Sequence, residues 1–461
     1  MNFSPLDKLL IADRKFNQRV AFSNQSNKNW HHFITDIADL SAHLRQQTAL
    51  RWAICCQDSY LFSVAFFAAA YADKQLILPG NHQPEMLALL AQQFDGLLTD
   101  EDLLTTIKSK HCLLPFAADK KAEPIKQILD INNVSLLLYT SGSNGFPKAI
   151  HKTLALLDTE IHSLQEVWGK LLTETEIVSS VSHQHIYGLL FRILWPLCAG
   201  RAINSVDLIY PEQVIKAAKT NRTLIASPAL LKRLSDTCEG AGYRAIFSSG
   251  GALNYETARH NEACLKQLPI EVFGSTETGG IAYRQQQSAQ TPWTLFSPLR
   301  AQCNEQGCLL IKSPWIDNAE FYQTSDQCEL LNERQFLLKG RIDRIVKIEE
   351  KRIALTEVEL RINELPWIAE SAVILLNSQT RLCLGAVIKL TEQGVQALKK
   401  QGKGQFCLLL RQQLRLWIEP IAIPRYFRIV DEIPVNRQGK QLHNELSALF
   451  NDHSRETDAT Q

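Results

Sequence analysis

Residues 139–148, YTSGSNGFPK, bring together the hydroxyls of Thr140, Ser141 and Ser143, the glycines Gly142 and Gly145, and Lys148. The apolar run VSLLLYT leads straight into this segment. Glycines expose backbone N–H groups, hydroxyls add donors and a lysine adds a point charge, which together make a nest for phosphate oxygens. A Ser/Gly-rich surface turn has the same composition and stands as the alternative reading. Spacing excludes two other phosphate motifs. The nucleoside-triphosphatase loop G-x-x-x-x-G-K-[ST] would need glycine where Pro147 stands, and the dinucleotide fingerprint G-x-G-x-x-G is absent here. His183 and His185 share an i, i+2 spacing, but no third ligand is evident, which argues against a metal centre.

The elements that must hold these residues alternate along the first half. Residues 134–140 form a continuous apolar strand, and helical spacing follows over about 153–170. TLIAS (223–227), RAIFSS (244–249) and IEVFG (270–274) repeat the pattern of buried strand and turn, as does the short run 96–100 after helical 87–93. Continuous apolar strands separated by helices predict a parallel sheet covered on both faces. From 295 to 338 short pieces (CLLIKSP, FYQTSD, CELL, QFLL) predict a small antiparallel subdomain. The charge-alternating RIDRIVKIEEKRI after Gly340 reads as a linker. Beyond it AVILL and LCLGAVIKL supply strands, and an amphipathic helix is expected around 404–417.

Composition narrows the class. The 461 residues predict about two to four domains at roughly 150 residues each. A net charge of +1 gives no reason to expect nucleic acid as a partner. With 45% hydrophobic and 21% charged residues, wholesale disorder is excluded. The longest uncharged apolar stretch, 59–72, falls short of the roughly 18–20 residues of a membrane span and reads as a buried helix. MNFSPLDKLL lacks a charged-then-apolar signal layout. Eleven scattered cysteines without a CxxC pair fit neither a disulfide scaffold nor a zinc ribbon, and reduced thiols in the cytoplasm are expected.

YTSGSNGFPKA resembles the Y-T-S-G-[ST]-T-G-x-P-K-G signature of adenylate-forming enzymes, the superfamily of acyl-CoA synthetases, peptide-synthetase adenylation domains and beetle luciferase. Further segments are similar to the family's motifs, in the family's order. VSHQHIYGLLF resembles its histidine–aromatic–glycine segment, SSGGAL its S-G-G-A-P-L turn, FGSTETGG its Y-G-x-T-E and YQTSD its W-x-x-T-G-D. GRIDRIVKIEEKRIALTEVE and PVNRQGKQL resemble the hinge and the P-x-x-x-x-G-K ending, and residues 66–85 fit an early helix, strand and loop. The likeness covers nearly the whole chain. Asn144, Ala149, Ser325 and Glu350 depart from the usual Thr, Gly, Gly and Gly, and the chain is short for the family, mostly in its first half.

The resemblance implies an α/β fold. A large N-terminal domain (1–340) of parallel sheets flanked by helices, with its small β subdomain, is joined by a hinge at 341–343 to a small mobile α+β domain (344–451) and a polar tail (452–461). It also implies an ATP-dependent ligase in which a carboxylate attacks the α-phosphorus of ATP, giving acyl-adenylate and pyrophosphate. Both reactants are anions, so charge must be neutralised and geometry aligned. Thr140, Ser141, Gly142, Ser143, Gly145 and Lys148 would hold the outer phosphates. Glu277, with Thr140, would hold Mg²⁺, a hard cation suited to oxygen donors. Asp326 would accept from both ribose hydroxyls and Arg341 donate to the same ribose; Gly250, Gly251 and Thr276 complete the nucleotide side. His185, Tyr187, Gly188 and Ser249 would line the acyl pocket. Lys440 would bridge carboxylate and α-phosphate as charge builds, so Lys440, Glu277 and His185 are the catalytic candidates.

In the second step the acyl group would pass to a pantetheine thiol, of a carrier protein or of coenzyme A. The C-terminal domain would first rotate about Asp343, withdrawing Lys440 and presenting the loop around Glu350. Between 395 and 430, Lys399, Lys400, Lys403, Arg411, Arg415, Arg425 and Arg428 face only Glu419, a positive segment that would attract an acidic acyl carrier protein or the phosphates of coenzyme A, a solvated basic helix face being the equally good alternative. The short build is similar to carrier-protein ligases of aryl-polyene-type pathways. A free acyl-CoA synthetase and a degenerate, non-catalytic nucleotide-binding regulator are the alternatives.

Overall fold

The computed structural model describes residues 3–80, 83–100, 110–118, 121–140, 147–234, 242–251, 253, 255–317, 320–341, 345–349, 351–377, 382–434 and 443–451. The chain divides into two compact units, of which the larger takes in Met1–Gly80, Ala88–Thr140 and Ala149–Asp343. The fold is α/β.

A six-stranded sheet of the larger unit runs in the order Lys110–Leu113, Gly96–Thr99, Arg51–Cys55, Gln75–Leu78, Ser135–Thr140, Lys148–Thr153. Its first five strands are parallel, and apolar residues predominate in the inner ones. The helix Ser59–Tyr71 starts where the Asp58 carboxylate accepts the Tyr60 and Leu61 N–H groups. It is buried all round except at Leu61, as a helix without a polar face must be.

The second sheet has thirteen strands. Glu176–Ser179, Arg222–Ala226, Ala245–Ser249 and Ile270–Ser275 are its parallel core. The antiparallel strands expected over 295–338 are present, yet they do not stand apart. Gly279–Gln285 folds back on Ile270–Ser275, and its free edge takes Trp293–Leu295, then Gln335–Arg341, Tyr322–Leu330, Cys308–Lys312 and Arg300–Cys303. Below the parallel core the helix Leu154–Trp168, capped by Thr153, brings Trp168 edge-on to Phe247 at 5.0 Å and Phe296 at 5.7 Å. Edge-to-face rings of this kind add stability beyond the area they bury.

The smaller unit corrects one expectation and extends another. The supposed linker after Gly340 contains a hairpin, Ile345–Ile348 against Lys351–Ala354, because Ile348, Ile353 and Ala354 bury their side chains and Glu349 turns at φ +58°. The amphipathic helix expected around 404–417 is present after Gly402, whose φ of +77° separates it from a preceding helical stretch that starts at Glu392 and is capped by Thr391 through the Gly394 N–H. Beside it lies the three-stranded sheet Ile368–Asn377, Leu382–Leu390, Tyr426–Ile429. A further correction concerns the thiols: Cys264 is disulfide-bonded, whereas Cys55, Cys56, Cys112, Cys198, Cys303, Cys308, Cys328, Cys383 and Cys407 form no disulfide. Cys264 is buried on the helix Tyr255–Leu265, a position composition does not reveal. Among the described residues no helix is long and apolar enough to cross a membrane.

Phe247 is fully buried on a parallel strand whose end carries Ser249. Phe247→Ala should destabilise the larger unit by about 3–5 kcal/mol. Urea unfolding followed by tryptophan fluorescence, through the adjacent Trp168, would read the lowered midpoint.

Candidate active site

Ligands of parallel sheets bind beyond the carboxyl ends of the strands, because helix starts and turns there leave N–H groups and side chains facing outward. The register of the thirteen-stranded sheet brings several such ends level. Ile225 pairs with Ser179, Ala226 with Ser248, and Ser249 with Val272. His185, Tyr187 and Gly188 follow the strand Glu176–Ser179. Ser249, Gly250 and Gly251 close or follow Ala245–Ser249, and Thr276 and Glu277 follow Ile270–Ser275. Residues far apart in sequence thus share one edge. Ser249 is buried and its hydroxyl donates to the Val272 carbonyl at 2.8 Å, while Gly250 turns the chain at φ +90°.

Thr276, Glu277 and Thr278 form the tip of a tight hairpin, with Ser275 opposite Gly279 and Gly274 opposite Gly280. The tip is tied by its own hydroxyls. The Ser275 N–H donates to Thr278 Oγ1 at 3.0 Å and the Thr278 N–H to Ser275 Oγ at 3.2 Å. Gly274 is needed for closure, since a Cβ there would meet the Gly279 carbonyl oxygen at 2.2 Å. Thr276 and Glu277 are half-buried. Among the described residues no group of three or more His, Cys, Asp or Glu could hold a metal ion. One carboxylate and a hydroxyl are a sufficient protein share for a hard cation that takes its remaining oxygens from substrate phosphates and water. Glu277 and Thr140 are the residues expected to supply that share.

The histidine segment divides in two. His183 is buried, with Nδ1 bonded to Ser59 Oγ at 3.1 Å and Nε2 to the Cys56 carbonyl at 2.8 Å. Its ring is a packing element. His185 is half-buried and precedes the short helix Ile186–Gly188. Tyr187 lies against Phe191 at 5.0 Å. At Gly188 a Cβ would sit 2.1 Å from the Ser182 carbonyl oxygen, so close approach of the backbone already requires glycine. Arg192, buried in the π-helical turn Leu189–Leu194, fixes this segment by pairing with Asp207 and donating to the Val181 carbonyl at 2.9 Å.

Thr140 ends the strand Ser135–Thr140 half-buried, and Lys148 opens the next strand exposed. Asp326 is buried on Tyr322–Leu330, and its backbone pairs directly with that of Arg341 across the ladder. Two residues expected at one ribose therefore occupy one register position. Ser141, Gly142, Ser143, Gly145, Asp343, Glu350 and Lys440 lie outside the described residues.

Three side chains that the motifs do not include reach this site. Lys152, on the strand that opens with Lys148, donates to the Glu277 carbonyl at 3.0 Å and the Trp315 carbonyl at 2.9 Å. Glu160 accepts the Gly280 N–H at 2.6 Å, and Trp315 Nε1 donates to the Gly280 carbonyl at 3.1 Å. Burial pushes the Glu160 carboxyl up to about 7, against the pull of the Gly280 N–H and Lys152. Burial lowers the Lys152 ammonium, which Glu160, Glu277 and Asp317 partly offset. One sequence signal was available. Glu160 follows Leu157 at i+3 and precedes Ile161 and Leu164, a charge set on the apolar stripe of a helix.

Residues 11–298 match the family model described as AMP-binding enzyme. The chain is 25% identical over 307 residues to a 4-coumarate–CoA ligase of Rhodobacter capsulatus, covering 65% of this chain and 73% of that protein. It is also 25% identical to an acetyl-coenzyme A synthetase of Penicillium chrysogenum, covering 68% of this chain but only 54% of that protein. Among solved structures, an o-succinylbenzoate CoA synthetase from Bacillus subtilis superposes with a TM-score of 0.81 at 17% identity, over 97% of this chain and 99% of that one. An amide bond synthetase from Marinactinospora thermotolerans superposes with a TM-score of 0.80 at 13% identity, over 97% and 99% of the two chains. These superpositions show a shared fold. With the family model matching well over half its length, the chain belongs to the AMP-binding enzyme family, within the adenylate-forming superfamily.

Proposed function

We propose that the chain activates a small carboxylic acid with ATP and passes the acyl group to the pantetheine thiol of an acyl carrier protein. The observation that carries the first half is the sheet edge itself. The glycine turn after Ser249 and the Glu277 hairpin end neighbouring strands, and the strand that opens with Lys148 is bonded to that hairpin through Lys152.

In adenylation a carboxylate oxygen attacks the α-phosphorus, the bond to the bridging oxygen breaks, and pyrophosphate leaves. Thr140, Ser141, Gly142, Ser143, Gly145 and Lys148 bind the outer phosphates and hold the leaving group in line. A magnesium ion on Glu277 and Thr140 supplies screening of the phosphate charge when bound. Asp326 and Arg341 anchor the ribose, and Gly250, Gly251 and Thr276 leave room for the nucleotide. His185, Tyr187, Gly188 and Ser249 border the acid. Lys440 brings an ammonium to the atoms where negative charge accumulates. In thioester formation the thiol sulfur attacks the acyl carbonyl carbon and AMP departs, the small domain having turned about Asp343.

The carrier reading rests on charge. Of the seven basic residues between 395 and 430, Arg411 donates to the Pro424 and Arg425 carbonyls and Arg428 to the Leu449 carbonyl. Lys399, Lys400, Lys403, Arg415 and Arg425 remain exposed. Lys351 takes up Glu419 in an ion pair, so the acidic residue of that stretch is spent. Exposed cations on one segment suit an acidic protein surface. Glu350, at the thiol-facing loop by resemblance, would repel the phosphates of free coenzyme A by up to about 1 kcal/mol.

Pyrophosphate release with a mixed carboxylate library should be acid-dependent, and its absence with every acid would return the chain to a nucleotide-binding regulator. Lys440→Ala should lose pyrophosphate exchange by about 10²-fold or more, yet still transfer an acyl group from preformed acyl-adenylate. Equal loss in both assays would make Lys440 a structural residue. For the acceptor, the triple variant Lys399→Glu, Lys400→Glu, Lys403→Glu should lower kcat/KM for a carrier protein about tenfold at low ionic strength, with pyrophosphate exchange unchanged. A carrier protein no better than free coenzyme A, or one indifferent to the triple variant, would sink the carrier assignment.

A further inference from the structure

Lys152 is 4% exposed and Glu160 2% exposed, and neither belongs to any motif of the site. Both spend their charged ends on the main chain of one short turn. The Lys152 ammonium holds the carbonyl of Glu277 itself, together with that of Trp315. From the helix Leu154–Trp168, Glu160 Oε1 holds the Gly280 N–H, while Oε2 is buried with no hydrogen-bond partner among the described residues. A Cβ on Gly279 would come within 2.4 Å of that Oε2, so the glycine at φ +65° is what lets the carboxylate reach the backbone. Trp315 closes the arrangement on the Gly280 carbonyl.

Ionisable groups are a costly means of stabilising a turn, because each must leave water. Replacing such groups by well-packed apolar side chains is often neutral or favourable. What they supply and an apolar plug does not is direction. Each bond fixes a named main-chain atom at hydrogen-bond distance, and one of those atoms belongs to Glu277. Groups that orient a metal-binding carboxylate typically alter metal affinity by about 10- to 100-fold without touching the metal.

We infer that Lys152 and Glu160 are positioning residues that lock the 276–280 turn so that the Glu277 carboxylate meets the cation accompanying ATP. The inference rests on the assignment of Glu277 to that cation. It predicts that the strand following the phosphate loop and the hairpin carrying Glu277 act as one piece, since Lys152 joins them.

The test measures metal binding without turnover. Full-length protein is titrated with Mn²⁺ in the presence of α,β-methylene-ATP, and free Mn²⁺ is followed by electron paramagnetic resonance. Lys152→Met keeps the buried aliphatic stem and removes the donors. It should weaken Mn²⁺ in the ternary complex by about 10- to 100-fold and leave metal-free binding of the analogue, measured by calorimetry, within about twofold. Glu160→Ala should behave likewise, whereas Glu160→Gln, which keeps the acceptor for the Gly280 N–H, should restore most of the affinity. If Lys152→Met does not fold, the Glu160 pair carries the same comparison. Glu277→Gln is run beside them. If it weakens Mn²⁺ while Lys152→Met and Glu160→Ala do not, the positioning role is overturned and Glu277 keeps its assignment. Loss of metal-dependent and metal-free binding together would mark residues of general structure and overturn the role too. If Glu277→Gln leaves Mn²⁺ binding intact, the assignment falls and the inference falls with it.

Discussion

The reversal at Gly274–Gly280 is the constraint on which both the sheet and the site depend. From Arg19–Phe22 to Ile270–Ser275 neighbouring strands of this sheet are parallel, and from Gly279 onward they are antiparallel. Closing that reversal in three residues brings the Gly279 carbonyl to the place a Gly274 side chain would occupy. Glycine is therefore obligatory at 274 for steric reasons. The same tightness that starts the antiparallel half of the sheet leaves Thr276 and Glu277 at its tip, beyond the strand end that carries Ser249. A looser loop would serve the sheet equally well and would let the carboxylate wander.

Holding such a tip against thermal motion takes bonds on more than one side. The threonine and serine hydroxyls at 275 and 278 close it from within, and Lys152, Glu160 and Trp315 hold it from the protein interior. Arg192 plays a similar part for the histidine segment, spending a fully buried guanidinium on Asp207 and the Val181 carbonyl. Leaving one partner of such an arrangement unpaired costs about 1–3 kcal/mol or more. Buried cations bonded to carbonyls thus recur behind the strand ends, while the aromatic cluster around Trp168 and Phe247 supplies the apolar support beneath them.

Much of this was legible in the sequence. The parallel strands at 134–140, 223–227, 244–249 and 270–274 announced themselves as unbroken apolar runs, because strands covered on both faces have no polar side to show. Gly250 was legible through the motif that contains it, since its positive φ admits little else. The failures share a cause as well. The hairpin at 345–354 alternates apolar and charged residues, since one face of it is solvated, and that alternation passed for a linker. The helix from Glu392 was missed in its first half because Gly402 and the lysines around it mask the apolar spacing. Lys152 was invisible as a site residue, since a single lysine near the end of a strand carries no pattern. Only the folded chain shows that its ammonium ends on Glu277.

That difference explains how a fold can superpose with a TM-score of 0.81 at 17% identity. Constraints set by backbone approach admit one residue type, so they persist as motifs that a reader can match. Constraints set by side chains reaching main-chain atoms admit many solutions, since any donor of the right length can hold a carbonyl. Lys152 and Glu160 are one such solution, built from residues outside the motifs. The donor set at the tip can then be matched by resemblance, but the precision with which the tip is held is particular to the chain. A carboxylate displaced by about an ångström can cost roughly a hundredfold in a reaction that depends on alignment. The support behind Glu277 is therefore where chains with the same motifs can differ most in what those motifs achieve.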